Sequence, residues 1–195
     1  MSLQQLLEIA FPLPPPIDAG RAEQWKEVEA ALKTQLPSDY KNLVSNYGVG
    51  YFGNYVTVLN PFYPEHQYPS ILALYKKSYE MLHENRQEWD CPYPFFPEAK
   101  GLLPWGKDDT AGLLCWLTVG SPDTWQTVVL NSNWQVCEEY PMTATEFLFS
   151  WLTRQVAPSF YPLECYPFHE PLFRHEIDYS LFDINAVLNG DLPLG

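Results

Sequence analysis

The chain has few basic residues. Lys and Arg number 11 among 195 residues, against 24 Asp and Glu, which gives a formal net charge of −13 at pH 7. Residues 101–195 carry 12 acidic and 3 basic side chains, whereas residues 1–100 carry 12 and 8. Nucleic acids and anionic membranes need a basic face, so we expect neither among its partners. A basic protein partner is favoured, because opposite charges speed association, although the same charge also serves plain solubility.

Signals for export and for membrane insertion are also missing. Residues 1–16 have no basic n-region, no run of 18 apolar residues occurs, and no Asn-x-Ser/Thr sequon is present. The cysteines lie outside any Cys-x-x-Cys spacing; they are Cys91, Cys115, Cys137 and Cys165. This pattern predicts a cytoplasmic protein with free thiols rather than disulfides.

Motifs of enzymes and of metal sites are missing as well. The sequence has no HExxH, no His-x3-His and no nucleophile elbow. Cys165, His169 and His175 do not have the spacing of a common zinc site. Gly48-x-Gly50 precedes a strand rather than a helix, so it predicts a turn and not a phosphate site. We therefore expect no catalytic residue, no metal and no cofactor.

Asp108 and Asp109 are two adjacent carboxylates in a predicted turn between strands. Two adjacent carboxylates suit acid/base chemistry or a cation. They also suit a tight turn, because Asp accepts hydrogen bonds from nearby backbone N–H groups. The turn is the favoured interpretation, and an unrecognised hydrolase remains an alternative.

Helical periodicity dominates the first half of the chain. It predicts helices over 3–10, 20–35, 38–47 and 70–89. Asp18 and Ser38 are the predicted N-caps of the second and third helices, and Gly48 is the predicted left-handed residue after the third. The second and third helices therefore read as a helical hairpin.

The second half has the pattern of strands. Strands are predicted over 54–59, 102–105, 112–119, 125–130 and 134–139, with turns at 106–111 and 131–133. Thr143 and Glu146 form a capping box for a C-terminal helix, and a last short helix is predicted over 180–188. The fold class is α+β: an antiparallel meander of about 4–6 strands with helices packed on one side. We expect a single domain over 1–195.

The seven tryptophans are expected to be structural. Trp25, Trp116 and Trp151 fall at core positions of the apolar patterns, and Trp105, Trp125 and Trp134 fall at strand ends. A stacking or sugar-binding platform is the alternative. An exposed tryptophan would be an interface anchor.

Several segments in order resemble one family. They are Trp25-x-x-Val28-Glu29, Leu36-Pro37-Ser38-Asp39-Tyr40-Lys41, Tyr47-Gly48-Val49-Gly50, Asn60-Pro61-Phe62, Leu103-Pro104-Trp105-Gly106, Trp116 and Thr145-Glu146-Phe147-Leu148. In this order they resemble the SUKH superfamily, the Smi/Knr-type domain, over a core of about 22–153. The resemblance implies a non-catalytic protein-binding domain, and the largest group of the superfamily is immunity proteins that neutralise toxins. A regulatory or scaffold protein in cell-wall assembly is the other role it implies.

The same resemblance guides our expectations about the partner. A basic toxin domain, such as a nuclease or deaminase, would dock on an acidic surface. The predicted contact residues are Asp108, Asp109, Asp123, Glu138 and Glu139, and the chain is expected to be a monomer or weak dimer. Lys33 departs from the family, since it stands where many members carry Gly. The helix at 70–89 is long, and the Pro- and aromatic-rich extension over 157–195 has no counterpart.

Overall fold

The N-terminal helices lie where the periodicity places them. The computed structural model describes residues 3–12, 16, 18–62, 70–85, 91–162 and 172–175. Helix α1 spans Leu3–Ile9, α2 Ala22–Leu32, α3 Ser38–Tyr47 and α4 Ile71–Asn85. Helices α2 and α3 form the predicted hairpin and bury Trp25, Val28, Leu32, Tyr40, Leu43, Val44 and Tyr47. Among the helices in the described ranges, none is both long and apolar enough to cross a bilayer.

The helix ends differ from the prediction. Arg21, not Asp18, is the N-cap of α2, and the Gln24 side chain accepts a hydrogen bond from its backbone N–H at 3.0 Å. Ser38 is the first helical residue rather than a cap, because Pro37, at φ −54° and ψ 138°, makes the extended entry. Gly48 has the expected positive φ of 65°, but its ψ of −124° lies outside the left-handed helical region.

Seven antiparallel strands form one sheet, one more than the upper end of the predicted range. They are β1 (Gly50–Phe52), β2 (Val56–Val58), β3 (Leu102–Asp108), β4 (Leu113–Leu117), β5 (Gln126–Leu130), β6 (Cys137–Tyr140) and β7 (Phe173–His175). Their order is β6-β5-β4-β3-β2-β1-β7. Strands β1 to β6 therefore make the predicted meander, and β7 joins it at the far edge.

The single strand predicted over 54–59 is half of a tight hairpin. Strands β1 and β2 are joined through Gly53 and Asn54, which have φ values of 54° and 56°. Two successive positive φ values match a type I′ turn, which Gly and Asn accept most readily. Strand β1 was missed because a three-residue strand carries too few residues for a period to be read.

Strand β7 was not predicted either, since 157–179 reads as a loop. Its residues Phe173–His175 pair antiparallel with Gly50–Phe52. The Phe173 ring lies 4.7 Å from the Tyr47 ring and 5.0 Å from the Phe52 ring. The pairing joins positions more than a hundred residues apart, which no local pattern reports. The helix predicted over 180–188 lies outside the described residues.

The β5–β6 connection is longer than the predicted three residues. The strand predicted from Trp134 begins instead at Cys137. The Asn131 carboxamide oxygen accepts hydrogen bonds from the backbone N–H groups of Gln135 and Val136, at 3.0 and 3.1 Å. Trp134 adopts a φ of 59° inside this turn. The side chain of Asn131 thus extends the turn at the expense of the strand.

Helices cover one face of the sheet, as predicted. Helix α5 (Ala144–Leu152) begins at the predicted capping box of Thr143 and Glu146 and packs with α1 and α3. Trp105, Trp116 and Trp151 are fully buried beneath them. A smaller cluster covers the other face and includes Cys91, Phe95, Leu102, Leu113, Cys115, Val128 and Leu130. Trp25 and Trp125 are buried as well, whereas Trp134 is partly buried and Trp89 lies outside the described residues.

Candidate functional site

The predicted contact residues do not form one patch. Asp109 lies in the β3–β4 turn, next to the β5–β6 turn, because Trp134 Nε1 donates to the Ala111 carbonyl at 2.9 Å. Asp123 lies at the opposite end of the sheet, in the β4–β5 connection. Glu138 and Glu139 lie on the edge strand β6 and point to opposite faces. Strands β4, β5 and β6 all run between these two ends, and β6 forms the edge of the sheet.

Asp108 organises its turn from inside. Its side chain is 2% exposed, and Oδ1 accepts three hydrogen bonds of 2.8 Å, from the Thr110 N–H, the Thr110 hydroxyl and the Gly112 N–H. Asp109, by contrast, is exposed. The favoured turn interpretation thus describes Asp108, and Asp109 is the member of the pair that presents a carboxylate to solvent.

Asp123 supplies the cap that α3 lacks locally. Its Oδ1 accepts a hydrogen bond from the Ser38 backbone N–H at 2.6 Å, across 85 residues of sequence. The hydrogen bonds from Ser38 lower the pKa of Asp123, and the charge of Lys41 adds to the shift. Asp123 is exposed, so it stays ionised and caps α3 while facing solvent.

Glu138 lies on the helical side of β6. Its carboxylate accepts hydrogen bonds from the Ser159 N–H at 3.0 Å, from the Ser159 hydroxyl, and from the Tyr140 hydroxyl at 2.7 Å. Burial raises the pKa of Glu138, but the hydrogen bonds from Ser159 and Tyr140 outweigh burial and lower it overall. Glu138 is therefore a fixed negative charge.

Glu139 lies on the other side of β6. Its carboxylate accepts a hydrogen bond from the Tyr93 hydroxyl at 2.6 Å. That hydrogen bond, with smaller effects of burial and neighbouring charge, raises the pKa of Tyr93 to about 12. Tyr93 therefore stays a neutral donor to the exposed Glu139.

Among the residues that the structure describes, the hydrogen-bond donors to these carboxylates are uncharged. Asp123, Glu138 and Glu139 are held by backbone N–H groups and by hydroxyl groups. Such donors fix the side chains without cancelling their charge. Val136, directly before β6, is 49% exposed and adds an apolar group beside them. Sequence reasoning missed Tyr93 and Ser159 because they lie 46 and 21 residues from the carboxylates that they hold.

The predicted motif residues hold the helices together. Within the Leu36–Lys41 segment, the Leu36 N–H donates to Glu29 Oε1 at 3.0 Å, and Lys41 Nζ lies 2.8 Å from the same oxygen. The buried Tyr40 hydroxyl donates to the Leu59 carbonyl, and the Tyr40 ring packs edge-on against Trp116 at 4.9 Å. This segment therefore connects α2, α3 and the sheet.

The remaining motif residues lie where the backbone is crowded or irregular. Gly50 has no room for a side chain, because a Cβ there would meet the Arg174 carbonyl and the Phe173 ring. Pro104 and Gly106 flank an irregularity in the β3–β4 register, with the buried Trp105 between them. Lys33 ends α2 with φ 58° and ψ 28°, a left-handed conformation that glycine adopts at less cost.

The three residues considered for a zinc site, Cys165, His169 and His175, are only partly described by the structure. In the ranges that the structure describes, no group of three or more His, Cys, Asp or Glu is arranged to hold a metal ion. Cys165 and His169 lie outside those ranges, and of His175 only the backbone is described.

The comparisons agree with the resemblance. The family model SUKH_6, described as SMI1-KNR4 cell-wall, matches residues 22–148, which is more than half of the chain. No curated protein and no solved structure matches the chain.

Proposed function

Because the chain belongs to the SMI1-KNR4 cell-wall family, SUKH_6, we propose that it is a non-catalytic domain that binds and neutralises a basic toxin protein. The observation that carries the proposal is the set of carboxylates held by uncharged donors around β6. The immunity role comes from the resemblance to the SUKH superfamily, in which such proteins are the largest group.

The contact surface is centred on strand β6. Glu138 and Glu139 flank its edge, and Asp109 and Asp123 lie toward its two ends. A five-residue strand such as β4 is about 17 Å long. An interface of standard size, about 800 Å² per partner, is wide enough to reach both ends. We take Val136 as an apolar contact within it.

Electrostatic complementarity explains what such a surface does. Carboxylates that are already positioned need little reorganisation when a basic partner arrives. Long-range attraction raises the association rate, and the inhibitor works by covering the cleft of the toxin rather than by chemistry.

The test uses proteins encoded beside the gene for this chain, each produced as a purified domain. We expect one of them to be basic, to stop growth when expressed alone, and to bind this chain. Colony counts with and without co-expression measure protection, and calorimetry measures affinity. If no neighbouring protein is both toxic and bound, the immunity role is wrong.

Charge-matched variants test the surface. Asp109→Asn with Glu139→Gln removes two negative charges near β6, and Glu23→Gln with Glu27→Gln removes two from the exposed face of α2. Helix α2 packs on α4, away from β6. Only the first pair is expected to weaken binding, by roughly 10-fold. Equal losses in both pairs would show that net charge, and not this surface, matters.

A regulatory role in cell-wall assembly is the second candidate, because the matching family carries that description. The two roles differ in their partners. A regulator would be captured with proteins of the host's own cell-wall machinery, and its deletion would change cell shape in the absence of any toxin.

A further inference from the structure

Three cysteines lie in one region of the sheet that the proposed function does not use. Cys91, Cys115 and Cys137 are all free thiols. They belong to the apolar cluster on the face opposite the helices. Cys115 is fully buried and Cys91 is 8% exposed, whereas Cys137 is partly exposed on the edge strand.

Residues 91–93 run alongside β6. Cys137 packs against the apolar cluster that contains Cys91, and a hydrogen bond between the two thiols contributes to the raised pKa of Cys137. Two residues further along each segment, the Tyr93 hydroxyl donates to Glu139 at 2.6 Å across 46 residues of sequence. Two contacts with the same offset align the segments, and they hold the Cys91 and Cys137 side chains against each other.

Cys115 cannot replace Cys91 as the partner of Cys137. Strand β5 lies between β4 and β6. Neighbouring strands are about 4.8 Å apart, so Cys115 and Cys137 lie about 10 Å apart at Cα. A disulfide needs a Cα separation of less than about 7 Å. Cys91, which lies over the face of the sheet rather than within it, is free of this constraint.

We propose that Cys91 and Cys137 form a reversible disulfide, which clasps the segment before β3 to the edge strand β6. The oxidant is a small-molecule disulfide such as oxidised glutathione. The thiolate of Cys137, the more exposed of the two, attacks one glutathione sulfur, forms a mixed disulfide and releases one glutathione thiolate. The Cys91 thiolate then attacks the Cys137 sulfur and releases the second. The protein loses two electrons and two protons, and one oxidised glutathione becomes two reduced molecules.

The surroundings set the rate of this step. Burial, the hydrogen bond with Cys91 and the neighbouring charges together raise the pKa of Cys137 to about 12. The ionisable groups around the pair are Tyr93, Cys115 and Glu139 on the same face of the sheet, and Glu138 on the opposite face of β6. Little thiolate is present at pH 7, so oxidation is expected to be slow there and faster at pH 9. A buried disulfide is likewise protected from reduction once it has formed.

The experiment uses the full chain with Cys165→Ser, which removes the fourth cysteine. The protein is equilibrated at pH 8 with oxidised and reduced glutathione, blocked with N-ethylmaleimide and digested. Mass spectrometry is expected to find the Cys91 and Cys137 peptides joined, and dithiothreitol is expected to separate them. The oxidised protein should melt about 5–10 °C higher, because the bond closes a loop of more than 40 residues.

Two further variants separate the roles of the cysteines. Cys115→Ser is expected to keep the cross-link. Cys91→Ser is expected to accumulate a glutathione adduct on Cys137 with no rise in melting temperature, because the second attack has no nucleophile. Circular dichroism checks that each variant is folded. Absence of the Cys91–Cys137 peptide pair from the parent protein at every glutathione ratio overturns the proposal, whatever the variants do.

Discussion

Asp39 in the first turn of α3 accepts a hydrogen bond through Oδ2 from the backbone N–H of Thr145 in the first turn of α5, at 3.1 Å. Its other oxygen accepts from the Tyr40 N–H at 2.8 Å. The start of α3 is in turn capped by Asp123. Asp123 therefore caps the N-terminus of α3, and Asp39 of α3 caps the N-terminus of α5. Unpaired N–H groups at both helix ends favour negative charge. Asp39 acts in the fold rather than at a partner.

Replacing Asp123 by Ala should destabilise the protein by about 0.5–1 kcal/mol at pH 7, the lower part of the range for a lost cap because the site is exposed. The folded-state pKa of Asp123 is lowered, so its contribution is complete above the unfolded value of about 3.9 and is lost as pH falls through the folded value. Urea denaturation of both proteins should therefore show a gap that narrows as the pH falls below about 4. A gap independent of pH would contradict the capping role of the charge.

Replacing Trp116 by Ala should cost about 3–5 kcal/mol, because the side chain is fully buried and packs on Tyr40, Trp105 and Trp125. Guanidinium denaturation measures the loss. Trp116→Phe keeps part of the ring contact and should cost clearly less. Any loss of partner binding in Trp116→Ala should follow the unfolded fraction; binding lost by fully folded protein would assign Trp116 a role beyond packing.

Replacing Lys33 by Gly should stabilise the protein by about 0.5–1 kcal/mol, since Lys33 occupies a left-handed conformation that costs about that much for a residue with a Cβ. Lys26→Gly is the matched control: it lies inside α2 in an ordinary helical conformation and should destabilise by about 1 kcal/mol. Thermal denaturation of the two variants should give melting temperatures that move in opposite directions. A lower melting temperature in Lys33→Gly would rule out the conformational argument.

Replacing Gly50 by Ala should loosen β7. The new Cβ would meet the Arg174 carbonyl and the Phe173 ring, and overpacking of this kind costs about 1–3 kcal/mol. Hydrogen exchange over residues 172–175 should rise. Gly106→Ala is the control, because its nearest neighbour would be the Thr57 carbonyl at 3.2 Å. Equal exchange in both variants would show that β7 does not depend on the bare backbone at Gly50.

Association with a basic partner should slow on the order of 10-fold between 50 and 500 mM NaCl, because salt screens the field of the carboxylates. Stopped-flow fluorescence measures the association rate. Glu139→Lys should slow association at low salt and should reduce its salt dependence. An association rate that ignores ionic strength would remove the electrostatic part of the proposed function.

Local patterns predicted what depends on local interactions. The apolar spacing of Trp25, Val28 and Leu32 was enough to place α2, and Thr143 with Glu146 was enough to begin α5, because each pattern acts within one or two helical turns. The prediction that helices cover one side of an antiparallel sheet is confirmed for the same reason.

Contacts between distant residues were beyond such patterns. The cap of Ser38 comes from Asp123, 85 residues later, and Tyr93 finds Glu139 across 46 residues. Strand β6 begins three residues late because the Asn131 side chain competes with the strand for backbone N–H groups. The acidic residues could be named from the sequence, but their neutral donors and their spread along β6 depend on the tertiary fold.

The family match and the hydrophobic core do not end at the same residues. The matched range runs from 22 to 148, yet Leu6 of α1, Ala10 directly after α1 and Phe173 of β7 are buried in the same core as Trp151. A fragment limited to residues 22–148 would expose an apolar surface on the helical layer. It would also leave β1 as an unpaired edge strand. Helix α1 and strand β7 therefore complete the core from outside the matched range, and any shortened version for expression or crystallisation has to retain them.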